Sequence, residues 1–153
     1  MRLPLRTIAL VLALALGLLA TACGGDSETA TADDQTDATS GPDIGQLSTV
    51  TPDEAATLHE SPPADLVVLD VRTPEEFAEG HLDGAVMVDF YAPDFADQIA
   101  QLDANVPYLL YCRSGNRSGQ TLSLMQQMGF TDVTEVDGGI AAWQQAGHPV
   151  TTP

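Results

Sequence analysis

The chain contains no lysine. Its five basic residues are all arginine and stand against 22 acids, for a formal net charge of −17. Two of the arginines, Arg2 and Arg6, fall within the first six residues, which leaves three for everything that follows. Binding to nucleic acid or to anionic headgroups needs cations to neutralise phosphate, so this balance argues against both. Cysteine is scarce as well: only Cys23 and Cys112 occur. Two cysteines cannot make a disulfide framework, and no Cys/His cluster has metal-ligand spacing, so no metal is expected. No internal repeat is visible, and no apolar run is long enough to span about 30 Å of hydrocarbon comfortably.

What is present falls into three parts. Residues 1–22 open with Met1-Arg2-Leu3-Pro4-Leu5-Arg6 and continue into an apolar run over residues 7–20. A cationic start, a short apolar stretch and small residues before a cut site describe a secretory signal. Leu19-Ala20-Thr21-Ala22-Cys23 resembles a bacterial lipobox, although leucine is commoner where Ala20 stands. That resemblance implies cleavage before Cys23, diacylglyceryl transfer to its sulfur, and a lipid-anchored protein facing the extracytoplasmic side of a cell membrane. Two acyl chains anchor stably where one would be marginal. Residues 23–46 then carry the lipidated cysteine into a Gly-, Ser-, Thr- and Asp-rich stretch whose largest aliphatic is Ile44. Such a segment cannot bury enough surface to fold, and reads as a disordered acidic tether.

Residues 47–153 alternate strand and helix signals. Leu47-Ser48-Thr49-Val50 predicts a short strand. Thr51-Pro52-Asp53-Glu54 combines an N-cap, a proline at the first helical position and a capping-box acid. The apolar run Leu66–Val71 suits a strand buried on both faces. Thr73-Pro74-Glu75-Glu76 repeats the capping box and predicts a short helix ending near Gly80. Ala85–Val88 is a third strand. Residues 93–103 suit a helix with Phe95, Ile99 and Leu102 on one face. Pro107–Tyr111 is a fourth strand. Residues 117–128 suit a helix with Leu122 and Met125 inward, Leu124 marginal, and Gly129 as its stop. Val133–Val136 is a fifth strand, and Gly139–Ala146 a last helix with Ile140 and Trp143 in the core. Strands separated by helices imply right-handed crossovers and a largely parallel sheet with helices on both faces. Sites in such sheets sit at the carboxyl ends of strands, and the residue after the fourth strand is Cys112.

Cys112-Arg113-Ser114-Gly115-Asn116-Arg117-Ser118 joins that strand to a helix. A tight loop before a helix points backbone N–H groups at its centre, and the unpaired amides of the helix start add positive potential. With Arg113 and Arg117 flanking the loop, a thiolate on Cys112 is stabilised. Gly115 permits backbone conformations that a side chain forbids. The loop is therefore a cradle for an anion. An inert buried cysteine would explain a thiol at a strand end, but not the arginines and glycine around it.

This loop resembles the active-site loop of the rhodanese family. Val68–Phe77 followed by Gly80-His81-Leu82-Asp83-Gly84-Ala85 resembles that family's early signature, and Gly138–Trp143 followed by Ala146–Val150 resembles its C-terminal one. The match covers nearly all of residues 47–153. It implies an α/β fold with a central five-stranded, mainly parallel sheet flanked by helices on both faces. It also implies a sulfurtransferase in which Cys112 takes sulfur from a donor such as thiosulfate as a persulfide and passes it to a thiophilic acceptor. Covalent catalysis of this kind splits one transfer into two easier ones. Backbone amides of residues 113–117, with Arg113, Ser114, Gly115, Asn116 and Arg117, form the expected anion site, Arg113 facing the incoming anion and Arg117 shaping the loop. Related phosphatases enclose five residues between cysteine and arginine; Cys112 and Arg117 enclose four. The smaller ring favours sulfur over phosphate.

Supporting roles are expected for four more residues. Asp70 and Arg72 suit an ion pair at a strand end, with Glu76 as a capping-box acid and partner of Arg72. His81 suits a structural hydrogen bond in a turn. His59 and His148 read as surface residues, and Tyr108 and Tyr111 as packing. The partners implied are small sulfur anions or a protein acceptor. Residues 47–153 carry three arginines against 16 acids, a field that would attract a cationic protein, so the alternative is a non-enzymatic persulfide carrier serving an extracytoplasmic partner.

Overall fold

A computed structural model describes residues 47–153. The expected signal segment, the lipidation site Cys23 and the linker lie outside the described residues. Among the described residues ten elements alternate: β1 (Ser48–Val50), α1 (Pro52–Glu60), β2 (Val67–Asp70), α2 (Pro74–Glu79), β3 (Val86–Met87), α3 (Phe95–Ala100), β4 (Tyr108–Tyr111), α4 (Asn116–Gln127), β5 (Val133–Val136) and α5 (Gly139–Gln145).

Both capping boxes form. Thr51 and Thr73 each accept the backbone N–H of the glutamate three residues on, and each glutamate carboxylate accepts the N-cap N–H in return. The reciprocal pair satisfies two donors that a helix start otherwise leaves unpaired. α3 is shorter than its sequence pattern. Its N-cap Asp94 makes no capping bond, and its last turn closes through i→i+3 bonds from Gln101 and Leu102.

All five strands run parallel in the order β1-β5-β4-β2-β3. β4 is central, and each of its residues is buried. Alternation along the strand sends successive side chains to opposite faces, which builds two cores. Tyr108, Leu110 and Cys112 join Leu69, Val71, Phe95, Ile99, Met125 and Val133 on the face covered by α3 and α4. Leu109 and Tyr111 join Ala55, Leu58, Val136, Ile140 and Trp143 on the face covered by α1 and α5. Trp143 donates its indole N–H to the Pro149 carbonyl at 2.8 Å.

Two histidines expected at the surface are instead half-buried against that tryptophan. His59 meets its ring edge-on with centroids 5.8 Å apart, and Nε2 of His59 lies 2.8 Å from the Asp83 carbonyl. The His148 ring lies tilted with its centroid 4.9 Å from that of the indole, and Nε2 reaches Asp53 at 2.8 Å. A broad apolar plate with few polar neighbours favours rings that cover it while keeping one nitrogen bonded.

Candidate active site

Because the strands are parallel, their carboxyl ends share one rim. β4 delivers Cys112 to its centre, and four residues later α4 begins. Cys112 is 1% exposed, so the thiol lies beneath the rim, and what its neighbours offer decides its chemistry. The Gly115 N–H donates to Sγ at 3.2 Å. The Ser118 hydroxyl lies 3.3 Å from the same atom. Burial opposes the thiolate, but the Ser118 hydroxyl and the amides of Ser118, Ser114 and Gly115 outweigh it and hold the thiol below its ordinary range. Within the expected 113–117 set, then, the amide hydrogen-bonded to sulfur is that of Gly115, while those of Ser114 and Ser118 add to the pull that lowers the thiol. Gly115 is the hinge: at φ +92° it turns the chain into α4 in a conformation that L side chains rarely adopt.

What keeps the amides inward is the far side of the loop. The Ile140 N–H donates to the Cys112 carbonyl at 2.9 Å, and the Ala141 N–H to the Arg113 carbonyl at 3.1 Å. The start of α5 thus holds the loop's carbonyls on its back. This approach requires Gly139, at φ +60°: a Cβ there would strike the Cys112 carbonyl oxygen and lie 2.8 Å from the Arg113 carbonyl carbon. The Gly138-Gly139 pair, read in the sequence only as part of a signature, is a structural member of the site.

The arginines divide the work. Arg117 makes a two-pronged bond to Glu76, 2.7 Å to Oε2 and 2.8 Å to Oε1. The guanidinium holds the Glu76 carboxyl down to about 2, burial opposing it and the Thr73 amide assisting. The expected partnership of Glu76 with Arg72 is therefore corrected: Glu76 faces α4, and Arg72 is taken by Asp70. Nε and Nη2 of Arg72 reach the Asp70 carboxylate at 2.6–2.9 Å, and Nη2 also donates to the Gly80 carbonyl at 2.7 Å. Asp70 and Arg72 are both buried. Together they bolt the end of β2 to the end of α2, which presents Glu76 to Arg117. His81 stacks on Phe77 at 3.7 Å, with Nδ1 3.0 Å from the Phe77 carbonyl.

Arg113 and Ser114 are exposed. Arg113 takes part in no ion pair among the described residues. It lines a cavity of about 390 Å³ with Arg72, Glu76, Glu79, Gly80, Ile140, Ala141 and Gln144. Asn116 is turned along its own helix, its Oδ1 accepting from Gln120 at 3.0 Å. The guanidinium of Arg117 also lies 5.6 Å from the ring centroid of Tyr91, which is 68% exposed on the rim.

Sequence reasoning missed two residues beneath the sulfur. The inward stripe of α4 is Ser118, Thr121 and Met125, while Leu122 and Leu124 are only partly buried. Ser118 donates to Oε1 of Glu135 at 2.6 Å. Glu135 lies on β5, buried among valines. The available signal was period two: an acid two residues after Val133 faces the same core.

A rhodanese-like domain model matches residues 51–146. The chain is 35% identical over 109 residues to a thiosulfate sulfurtransferase, GlpE, of Pseudomonas putida, covering 71% of this chain and 94% of that protein. It is 32% identical over 89 residues to a sulfurtransferase of Allochromatium vinosum, covering 58% of this chain and 81% of that one. A rhodanese-related protein of Thermoplasma volcanium has the same fold, with a TM-score of 0.60 at 24% identity over 69% of this chain and 98% of that one. Family model, relatives and a cysteine cradled by amides at the end of the central parallel strand agree: this chain belongs to the rhodanese-like family.

Proposed function

We propose that the protein is a sulfurtransferase that moves sulfane sulfur through a persulfide on Cys112. The observation that carries this reading is the ring of donors on one sulfur, with Arg117 closing the loop after four intervening residues. The Cys112 thiolate attacks the outer sulfur of a donor such as thiosulfate. A bond forms from Sγ to that sulfur, the bond to the sulfonate breaks, and sulfite leaves with its electron pair. The resulting persulfide carries its charge where the loop amides can stabilise it. A thiophilic acceptor then attacks the terminal sulfur and returns the thiolate. Arg113, exposed and unpaired among the described residues, meets the incoming anion. The relatives are named for this chemistry, and the four-residue enclosure suits a sulfur atom better than a tetrahedral phosphate.

The test is intact mass after thiosulfate alone, followed by turnover with cyanide. A gain of one sulfur atom with turnover supports the enzyme, and the gain without turnover supports the carrier. Cys112→Ser should abolish both while melting like wild type; a Ser variant that still transfers sulfur would move the chemistry elsewhere. The field of 16 acids should repel a divalent donor over about 10 Å at 0.1 M salt. Turnover with thiosulfate should therefore rise with ionic strength, and a fall would show that Arg113 outweighs the field.

The location is part of the same proposal. Cys23 carries the lipid and holds the domain on the extracytoplasmic side of the membrane. Intact mass of membrane-extracted protein should show cleavage before Cys23 with added acyl mass, and Cys23→Ala should release the protein from membranes.

A further inference from the structure

Glu135 is a buried carboxylate that the transfer described above does not use. It is 6% exposed, and none of the three ion pairs among the described residues includes it. Its hydrogen-bond partners are two hydroxyls: Ser118 from α4 at 2.6 Å on Oε1, and Thr49 from β1 at 3.2 Å on Oε2. Register explains the neighbourhood, since Thr49 and Leu110 flank Glu135 on the paired strands. Gly119 passes close to the carboxylate: a Cβ there would meet Oε1 at 3.7 Å, an ordinary contact. The titratable group closest along this chain of contacts is Cys112, through Ser118.

A hydroxyl has one proton. Ser118 Oγ lies 2.6 Å from Glu135 Oε1 and 3.3 Å from Cys112 Sγ and can donate to only one of them at a time; when it donates to Glu135, the contact with Sγ can be filled only by the thiol's own proton. The chain reads Sγ–H to Oγ–H to carboxylate. Shifting both protons one step gives the mirror arrangement, in which Ser118 donates to a thiolate and Glu135 is a neutral acid. Every hydrogen bond is kept, and a single negative charge moves from an oxygen pair solvated by hydroxyls to a sulfur solvated by amides. Opposite donors on the sulfur favour that direction, and two adjacent buried anions would not.

We propose that Glu135 is a positioning residue for the nucleophile's proton: it takes up the Cys112 proton through Ser118, so that the thiolate forms without releasing a proton to solvent. In the step, the Sγ–H and Ser118 Oγ–H bonds break while a new Ser118 Oγ–H bond and a Glu135 Oε1–H bond form. No other reactant is needed. The inference rests on Cys112 being the nucleophile of the proposed function, but its test requires no sulfur donor, so the two can fail separately.

The experiment is alkylation of the full chain carrying Cys23→Ala, so that Cys112 is its only thiol and this chain is the wild type of the comparison, kept reduced, with iodoacetamide at neutral pH in weak buffer. Thiolate absorbance is followed together with proton release. Alkylation removes the charge from sulfur, so Glu135 should ionise and give up what it holds. Wild type should lose its thiolate absorbance and release about one proton per Cys112. Glu135→Gln, whose amide stands in for the neutral acid, should lose the same absorbance and release almost none. Ser118→Ala, which cuts the chain, should show less thiolate before alkylation. Wild type that shows thiolate yet releases no proton, or that shows no thiolate at neutral pH, overturns the proposal even if neither variant folds.

Discussion

Thr51-Pro52-Asp53-Glu54 and Thr73-Pro74-Glu75-Glu76 start α1 and α2 by the same device. In each, threonine caps the amide three residues on, proline occupies the first helical position, and glutamate returns a bond to the cap. Beyond that bond the two glutamates part. Glu54 is exposed, and its carboxylate is held below its usual range by the Thr51 hydroxyl and amide alone. Glu76 is half-buried, and Arg117 at the start of α4 takes both of its oxygens. Identical local chemistry thus produces a helix start in one place and, in the other, a helix start that also holds the active-site loop. The difference lies in what the sheet order brings opposite the cap.

The largest effect expected from this contrast is on activity. Glu76→Ala frees Arg117 and lets the loop drift, and since misplacement of about 1 Å can cost about 100-fold, kcat/KM with thiosulfate and cyanide should fall about 10- to 100-fold. Glu54→Ala should leave kcat/KM unchanged. Equal, small losses would show that the loop holds its shape without Glu76. Stability comes next. Denaturant melts should find Glu76→Ala weaker than wild type by about 2–3 kcal/mol, less than the loss from breaking a fully buried pair because some solvent reaches this one. Glu54→Ala should stay near the wild-type midpoint. In a double-mutant cycle with Arg117→Ala, the cost of Glu76→Ala should largely disappear.

The third effect is pH-dependent. The Glu76 carboxyl titrates at about 2 in the fold against 4.5 unfolded. Its contribution is therefore fully present above about pH 4.5 and fades as pH falls toward 2. Acid melts should show a loss on the order of 2 kcal/mol across that window in wild type, discounted for partial exposure. The loss should be missing in Glu76→Gln and retained in Glu54→Gln. The smallest effect belongs to what the boxes share: Thr51→Ala and Thr73→Ala should each cost about 1 kcal/mol in a thermal or denaturant melt. A far larger loss for Thr73 would mean that its cap, too, is coupled to the loop.

The elements were legible where local physics sets them. β5 matches its expected range Val133–Val136 residue for residue, and α2 stops at Gly80 as its pattern indicates. Cys112 could be singled out because a cysteine between an apolar run and an Arg-Gly-Arg loop makes sense only at a strand-to-helix turn. Other features were not legible, because they depend on contacts across the sheet. Glu76 was assigned to the nearer arginine in sequence, yet Arg72 is held by Asp70 two residues back. Ser118 and Thr121 were passed over in favour of Leu122, since a helix stripe read by apolarity alone skips small polar residues that face a polar partner.

By itself, then, the sequence determined the alternation of strands and helices, the capped helix starts, and a turn that concentrates amide donors on one thiol. These follow from backbone sterics and from periodicities spanning only a few residues. Tertiary structure alone decided that Glu76 grips Arg117, that α5 holds the loop's carbonyls from behind, and that Glu135 lies one hydroxyl away from Cys112. Each of those contacts joins positions 17 to 41 residues apart, and only the parallel stacking of β1, β5, β4 and β2 brings them together.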